Sequence, residues 1–306
     1  MNKGAIIVYV DDNEKIIAEF GWLWKSWLMW DINEEWDLVA FVNPSAMEKV
    51  KAKYSHDNVV FIEKEPMNKP GTTWEGYGFV NSFAMFTEKK HEDILRKYDY
   101  GLRTDCDTFL TKNFKGFDIY GSRVYVGNSS VLTPQDQDFG SGIIDKLKIV
   151  SKSLKLRYNY INHVGASIMT SMDKLIGITK LHYIATQFIL KWGWAPGDKG
   201  HWPGWFKGVA SMYGIHVAVN HYTNWLEINS GSLDVWCQAN KISSSDLHIH
   251  AWQFDQNGDI FNKLLWHKGE LPKIKYGKIP KTAGEYCLLV ANEDLDYLRM
   301  CVAKEG

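Results

Sequence analysis

Several common ways of building a functional site are missing from this 306-residue chain. No G-x-x-x-x-G-K-[ST] occurs, so a P-loop is excluded, and no G-x-G-x-x-G follows the first apolar run, which argues against an ordinary dinucleotide dehydrogenase. Cysteine is scarce: Cys106, Cys237, Cys287 and Cys301 lie far apart with no C-x-x-C pair. Neither a zinc site nor a dense disulfide framework is indicated, and reduced thiols are expected. Excess charge is missing too. The net charge is −1, so no strong field exists for nucleic acid or an anionic membrane. The apolar run Gly4–Val10 is too short for a membrane span and lacks a signal peptide's cleavage pattern, so a cytoplasmic location is expected. No internal repeat, low-complexity linker or clean boundary appears. One continuous domain over 1–306 is therefore expected, with a first half (1–115) and a second half (116–306).

What is present is ordinary in bulk and unusual in aromatics. Apolar residues make up 45% and charged residues 23%, which fits a soluble globular chain. Aromatics reach 14%, with 14 Trp; such residues stack on sugar rings in clefts and equally well fill a bulky core.

The order of elements predicts an α/β fold. Residues 5–10 are Ile- and Val-rich, as in a strand buried on both faces. Asp12 or Asn13 can cap the helix that follows, whose apolar face carries Ile16, Ile17, Phe20, Leu23, Trp24, Trp27 and Leu28. Trp36 to Val42 reads as a second strand. Asn43-Pro44-Ser45 opens a helix to about Lys53, and Asn58 to Ile62 is a third strand. This β-α-β-α-β order calls for a mostly parallel central sheet flanked by helices. Helix is expected within 79–97, 139–155 and 171–191, and a short strand from His163 to Met169 with a close backbone approach at Gly165. Residues 209–219 are helix or strand, 192–205 are a Trp-, Gly- and Pro-rich loop, and His248 to Trp252 is a strand or strand end.

The chain is organised around residues 100–111. An aromatic and aliphatic segment runs into Asp105-Cys106-Asp107. If that segment is a strand, alternation puts Asp105 and Asp107 on one side and turns Cys106 away. Two carboxylates on one side suit a hard divalent cation, which takes oxygen ligands and can neutralise a diphosphate. The same parity puts Arg103 beside Asp105, either to meet phosphate or to hold the aspartates as an ion pair. In open α/β sheets, ligands sit beyond the carboxyl ends of the strands, where the turn after the first strand also lies.

A nucleotide-type β-α-β unit followed by Asp-x-Asp resembles the GT-A class of glycosyltransferases. Five stretches are also similar to GT-A-like domains of large DNA viruses, algae and fungi: EFGWLWKSW (19–27), LRTDCDTFLT (102–111), WPGWFKGV (202–209), VNH (219–221) and HIHAW (248–252). The resemblance implies a GT-A-like domain with a Rossmann-like nucleotide-sugar-binding half and an acceptor-binding half. It implies Mn2+ or Mg2+ on Asp105 and Asp107, a UDP-sugar as first-choice donor, and a glycan hydroxyl as acceptor. It further implies a third, histidine ligand from the C-terminal part: His250 first, with His248 and His267 as alternatives, since a strand puts His248 and His250 on one side. Tyr9, Val10, Asp11 and Asp12 would reach the nucleobase and ribose. Arg103 and Lys263 would meet the diphosphate and stabilise charge on the departing nucleotide. The Trp202 to Gly208 loop is the acceptor-side candidate. Inverting transfer would need a general base; Asp234 is the chosen carboxylate, with Asp198 as another in the same half.

Two other functions fit the same residues. A carbohydrate-binding module would keep the fold without turnover or metal dependence. A nucleotidyltransferase would use an acidic pair and Mg2+ to make nucleotide-sugars.

Overall fold

The computed structural model describes residues 4–127, 141–202, 204–239, 241–251 and 260–304. In chain order its main elements are β1 (Gly4–Val10), α1 (Glu14–Met29), β2 (Trp36–Val42), α2 (Met47–Tyr54), β3 (Val59–Glu63), α3 (Asn81–Ala84), α4 (Lys89–Leu95), β4 (Tyr100–Arg103), β5 (Thr108–Leu110) and β6 (Val124–Gly127). Then follow α5 (Ser141–Ser153), β7 (Ile168–Ser171), α6 (Met172–Trp192), α7 (Ala210–Tyr222), β8 (Ile228–Leu233), β9 (Val235–Trp236), β10 (His248–His250), α8 (Lys263–Lys268), α9 (Ala283–Asn292) and α10 (Leu295–Ala303). The fold class is α/β, with a seven-stranded, mostly parallel central sheet flanked by helices.

The chain divides into two compact units. The first comprises Met1–Lys64, Thr104–Asp118 and Gly231–Gly306, and the second Glu65–Arg103 and Ile119–Ser230.

In the first unit, β1 pairs in parallel with β2, and β2 in parallel with β3. All seven residues of β1 are buried, as in a strand covered on both faces. The connecting helices begin where the sequence supplies caps. The Asn13 side chain accepts from the Lys15 amide, and Asn43 accepts from the Ser45 amide ahead of Pro44, each satisfying an amide that a helix start leaves orphaned. Helix α1 buries Ile17, Phe20, Leu23, Trp27 and Leu28. Its Lys25 Nζ donates to the Ala291 and Glu293 carbonyls at the end of α9, where a cation suits the orphan carbonyls and negative end of a helix. A second, three-stranded sheet has the order β5-β10-β9. In it β10 runs antiparallel to β5, with His250 opposite Thr108, and parallel to β9.

In the second unit, β7 runs antiparallel to both β4 and β6. The backbone amide of Gly165 donates to the Gly127 carbonyl, the close approach expected at that glycine. The strand itself begins only at Ile168. Residues 209–219 fall almost wholly in α7, which packs on α6 at Gly214. The predicted helix over 139–155 is α5 within the described residues; 139 and 140 lie outside them, as do Pro203 and Trp252. Among the described residues, no helix is long and apolar enough to cross a membrane.

Candidate metal and anion site

The candidate site lies within the first unit. Strand β4 ends at Arg103, so Asp105 and Asp107 sit on the turn into β5 and not on a strand. The turn is held against the carboxyl end of β1: the Thr104 amide donates to the Ile7 carbonyl, and the Cys106 thiol to the Tyr9 carbonyl at 3.1 Å. The Ala251 amide donates to the Asp107 carbonyl and fixes the end of β10 beside it. Convergence of the two aspartates therefore comes from turn geometry, and strand alternation does not produce it.

Asp105, Asp107 and His250 each offer a ligand atom, and these atoms all lie within 4.8 Å of one another. Asp107 and His250 are buried and Asp105 is half-exposed. His250 Nε2 is 3.2 Å from Asp107 Oδ1, and Lys263 Nζ pairs with Asp107 Oδ2. Lys263 opens α8, whose start is capped by the Asn262 side chain accepting from the Leu264 and Leu265 amides. An aromatic wall supports that placement. The Trp22 ring from α1 stacks on Phe109 of β5 at 5.3 Å and meets Phe261 and Trp266 edge-on. Edge-on and offset contacts between large buried rings add to area burial.

Asp234 lies between β8 and β9 in a left-handed backbone conformation, φ 51°. It is buried. Its Oδ1 accepts from His250 Nδ1 at 3.1 Å, and its backbone N–H donates to His248 Nδ1 at 3.1 Å. An amide can only donate, so His248 Nδ1 is the acceptor and its proton sits on Nε2. That nitrogen lies 2.8 Å from Thr104 Oγ1. Both nitrogens of His248 are thus occupied by the protein, while His250 turns Nε2 toward the aspartates. His267 Nε2 lies 2.8 Å from Glu19 Oε1 and is not among the three converging groups.

The charges around Asp107 are tightly linked. Burial favours protonation of Asp107, but Lys263 and His250 overcome it and hold the carboxyl well below its usual range. Burial acts to lower the His250 pKa; Asp107 and Asp234 override it and raise the group to about 10. Burial of Lys263 is likewise outweighed by Asp107 and Glu19, so its pKa is raised. Burial, with Asp107 nearby, pushes Glu19 up to about 8. Burial brings His248 down to about 4 against the pull of Asp234, in keeping with a neutral ring.

The remaining residues singled out by sequence are not among the three converging groups. Tyr9 and Val10 end β1. Asp11 Oδ1 accepts from Asn43 Nδ2 at 2.8 Å, and Asp12 pairs with Lys49 at 3.2 Å. Arg103 is buried in the second unit, where its guanidinium donates to the Ser82 carbonyl and hydroxyl and to the Ala166 carbonyl. Trp205, also in the second unit, has Trp194 stacked at 5.3 Å and Tyr213 at 4.2 Å; it is a core residue. Trp192 and Trp202 are exposed there, and Trp192 and Trp194 line a cavity of about 410 Å3 with Asp198, Lys199 and Lys207. Sequence reasoning missed three participants around Asp107: Glu19, the Thr104 hydroxyl, and Asp234 as the partner of His250. Glu19 opens the EFGWLWKSW stretch, but nothing local to that stretch reveals the carboxylate's surroundings.

Among solved structures, the chain is similar to the galactosyltransferase LgtC in complex with donor and acceptor sugar analogs. The identity is 10%, with 89% of this chain and 97% of that chain covered at a TM-score of 0.49. It is also similar to an active-site glutamine-to-glutamate mutant of LgtC, at 12% identity, 75% and 72% coverage and a TM-score of 0.48. A search of curated proteins finds no match. The family model described as Domain of unknown function (DUF7164) matches residues 1–302, and the chain belongs to that family.

Proposed function

We propose that the chain is a metal-dependent glycosyltransferase of the GT-A type that moves a sugar from a nucleotide-sugar, a UDP-sugar in the first instance, to a glycan hydroxyl. The observation that carries this reading is the convergence of Asp105, Asp107 and His250 beside the buried Lys263. Two carboxylates and one imidazole form a donor set that fits Mn2+ or Mg2+ through the hard carboxylate oxygens, with the imidazole as a softer third donor. The site also lies past the carboxyl end of β1, where open α/β sheets bind their ligands.

In this reading Asp105, Asp107 and His250 would hold the ion. A divalent cation there would supply charge neutralisation for a diphosphate leaving group. The chain's own residues do the rest. The turn from Thr104 to Asp107 keeps both carboxylates aimed at one point. Lys263 supplies a positive charge beside that point to meet phosphate oxygens, where a fixed cation stabilises the departing nucleoside diphosphate. Tyr9 to Asp12, at the end of β1, are the proposed contacts to base and ribose. The acceptor side is assigned to the second half of the chain. Arg103 remains a phosphate candidate only if its bonds to Ser82 and Ala166 open.

The test is a panel of nucleotide-sugars screened with Mn2+, with Mg2+ and with chelator. Metal-dependent release of a nucleoside diphosphate supports transfer. Turnover only of a sugar-1-phosphate with a nucleoside triphosphate would move the assignment to nucleotidyl transfer. Sugar affinity without any metal or nucleotide dependence would move it to a binding module.

A further inference from the structure

We infer that Asp234 is a positioning residue for the metal site: through a buried chain of hydrogen bonds it fixes which nitrogen of His250 faces Asp105 and Asp107. The inference rests on the metal reading above. The chain of bonds runs from Thr104 Oγ1 to His248 Nε2, from His248 Nδ1 to the Asp234 amide, and from Asp234 Oδ1 to His250 Nδ1. It ends at Asp107, 3.2 Å from His250 Nε2. It therefore begins one residue before Asp105 and closes on Asp107, tying the acidic turn at both ends.

Each link has a determined direction. The Asp234 amide can only donate, so the His248 proton is on Nε2 and points at the Thr104 hydroxyl. A carboxylate can only accept, so His250 carries a proton on Nδ1. Its Nε2 is then the nitrogen that faces the aspartates and is the one able to ligate. A ligating histidine whose other nitrogen donates to a carboxylate is held in one tautomer and orientation and becomes a stronger base toward the ion. The burial of Asp234 and its place behind the ring explain why this carboxylate serves His250 from within the protein. The left-handed backbone at Asp234 is what lets one residue direct its amide at His248 and its carboxylate at His250. Asp and Asn tolerate that conformation better than most residues.

Asp234→Asn is accordingly the test variant: it keeps the shape and the backbone and removes the charge. Mn2+ binding is measured by calorimetry without nucleotide, and thermal melts are recorded alongside. In parallel, long-range 1H–15N spectra of Cd2+-loaded wild type assign the ring protons of His248 and His250. The expected result is about a 10- to 100-fold loss of Mn2+ affinity in Asp234→Asn, with an earlier melt in chelator because the buried His250 loses a charged partner. The spectra should show the proton on Nδ1 of His250 and on Nε2 of His248. Wild-type affinity in the variant, or a proton on Nε2 of His250 in the loaded protein, overturns the inference and leaves the metal site standing. If the variant does not fold, the wild-type ring assignment decides alone. Absence of Mn2+ and Cd2+ binding in the wild type removes the metal reading itself, and this inference with it.

Discussion

Replacing Lys263 by Met separates two effects of that lysine that have opposite signs. Without bound metal, two cations of the chain satisfy Asp107: Lys263 on Oδ2 and His250 on Oδ1. A divalent ion that takes Asp107 as a ligand has to share or displace the ammonium. Lys263 thus competes with metal for the carboxylate, although it helps an anionic ligand afterwards. The size of the competition follows from burial, because Asp107 and Lys263 are only 7% and 8% exposed. Removing one partner of a buried ion pair costs about 3–5 kcal/mol when the other charge is left uncompensated; His250 stays on Asp107 Oδ1, so that range is the upper end of the cost here. Lys263→Met should therefore melt earlier than wild type in chelator and recover when Mn2+ is added. A methionine fills similar volume without competing, so Mn2+ should bind more tightly. If about half of the lost pair energy returns on metal binding, the gain is at most about 2.5 kcal/mol, or up to roughly 70-fold in affinity. Binding of UDP in the presence of Mn2+ should move the other way and weaken, since the cation facing phosphate is gone. Calorimetry with Mn2+ alone and then with UDP at saturating Mn2+ measures both. Equal or weaker Mn2+ binding in the variant would refute the competition, and unchanged UDP binding would remove Lys263 from the phosphate site.

Asp105→Asn should abolish Mn2+-dependent UDP binding while leaving the melting point close to wild type, because Asp105 is only half-buried and surface changes cost little. Asp107→Asn should lose the same binding and also melt earlier in chelator, by the same pair argument; equal stability of the two variants would contradict it. Acid should destabilise the second unit. Burial lowers the pKa of His216 to about 3 and that of His182 well below its usual value. Below pH about 6.5 the unfolded chain takes up protons that the folded histidines refuse, so each contributes a loss of about 1.4 kcal/mol per pH unit, down to its folded pKa. Denaturant titrations from pH 7 to 4.5 should show this, and His216→Phe should remove one proton's worth of the slope; an unchanged slope would refute it. Gly214→Ala should destabilise by about 1–3 kcal/mol, because its Cβ would lie 2.0 Å from Thr186 Oγ1 and 2.9 Å from the Thr186 amide nitrogen. A melt at wild-type temperature would show that α6 and α7 can shift apart.

Where the sequence has a periodic or capping signal, the structure follows it closely. The run Trp36–Val42 is a strand with those bounds, because an apolar, β-branched stretch buried on both faces has little freedom to end elsewhere. Asn13 and Asn43 mark helix starts through hydrogen bonds that are local by nature. The failures arise where a long-range partner decides. Residues His163 to Ser167 have strand character, but β7 meets its partner β4 only from Ile168. The parity argument for Arg103 assumed that its strand continued to Asp107. The strand stops at Arg103 itself, and the guanidinium is engaged by Ser82 and Ala166, 21 and 63 residues away.

The histidines show why the chemistry of the site was only half legible. Alternation along β10 treats His248 and His250 as equivalent, and on spacing alone they are. The difference between them lies 14 residues away from His248, in the single amide of Asp234 that donates into its Nδ1. That bond uses up His248 and leaves its neighbour as the histidine whose Nε2 approaches Asp107. No sequence pattern announces it, because it depends on a non-glycine residue with positive φ between two short strands. By sequence the same residue is a free carboxylate suited to a general base. A base must reach the acceptor hydroxyl, and the Asp234 carboxylate is buried with its Oδ1 on the His250 imidazole. Inverting transfer needs such a base, whereas retaining transfer has no such simple requirement. The stereochemistry of the product, read by NMR from the first turnover, therefore bears directly on Asp234. An inverting turnover that is lost in Asp234→Asn while Mn2+ affinity is unchanged would support the role of base. Loss that tracks Mn2+ affinity would assign it to His250.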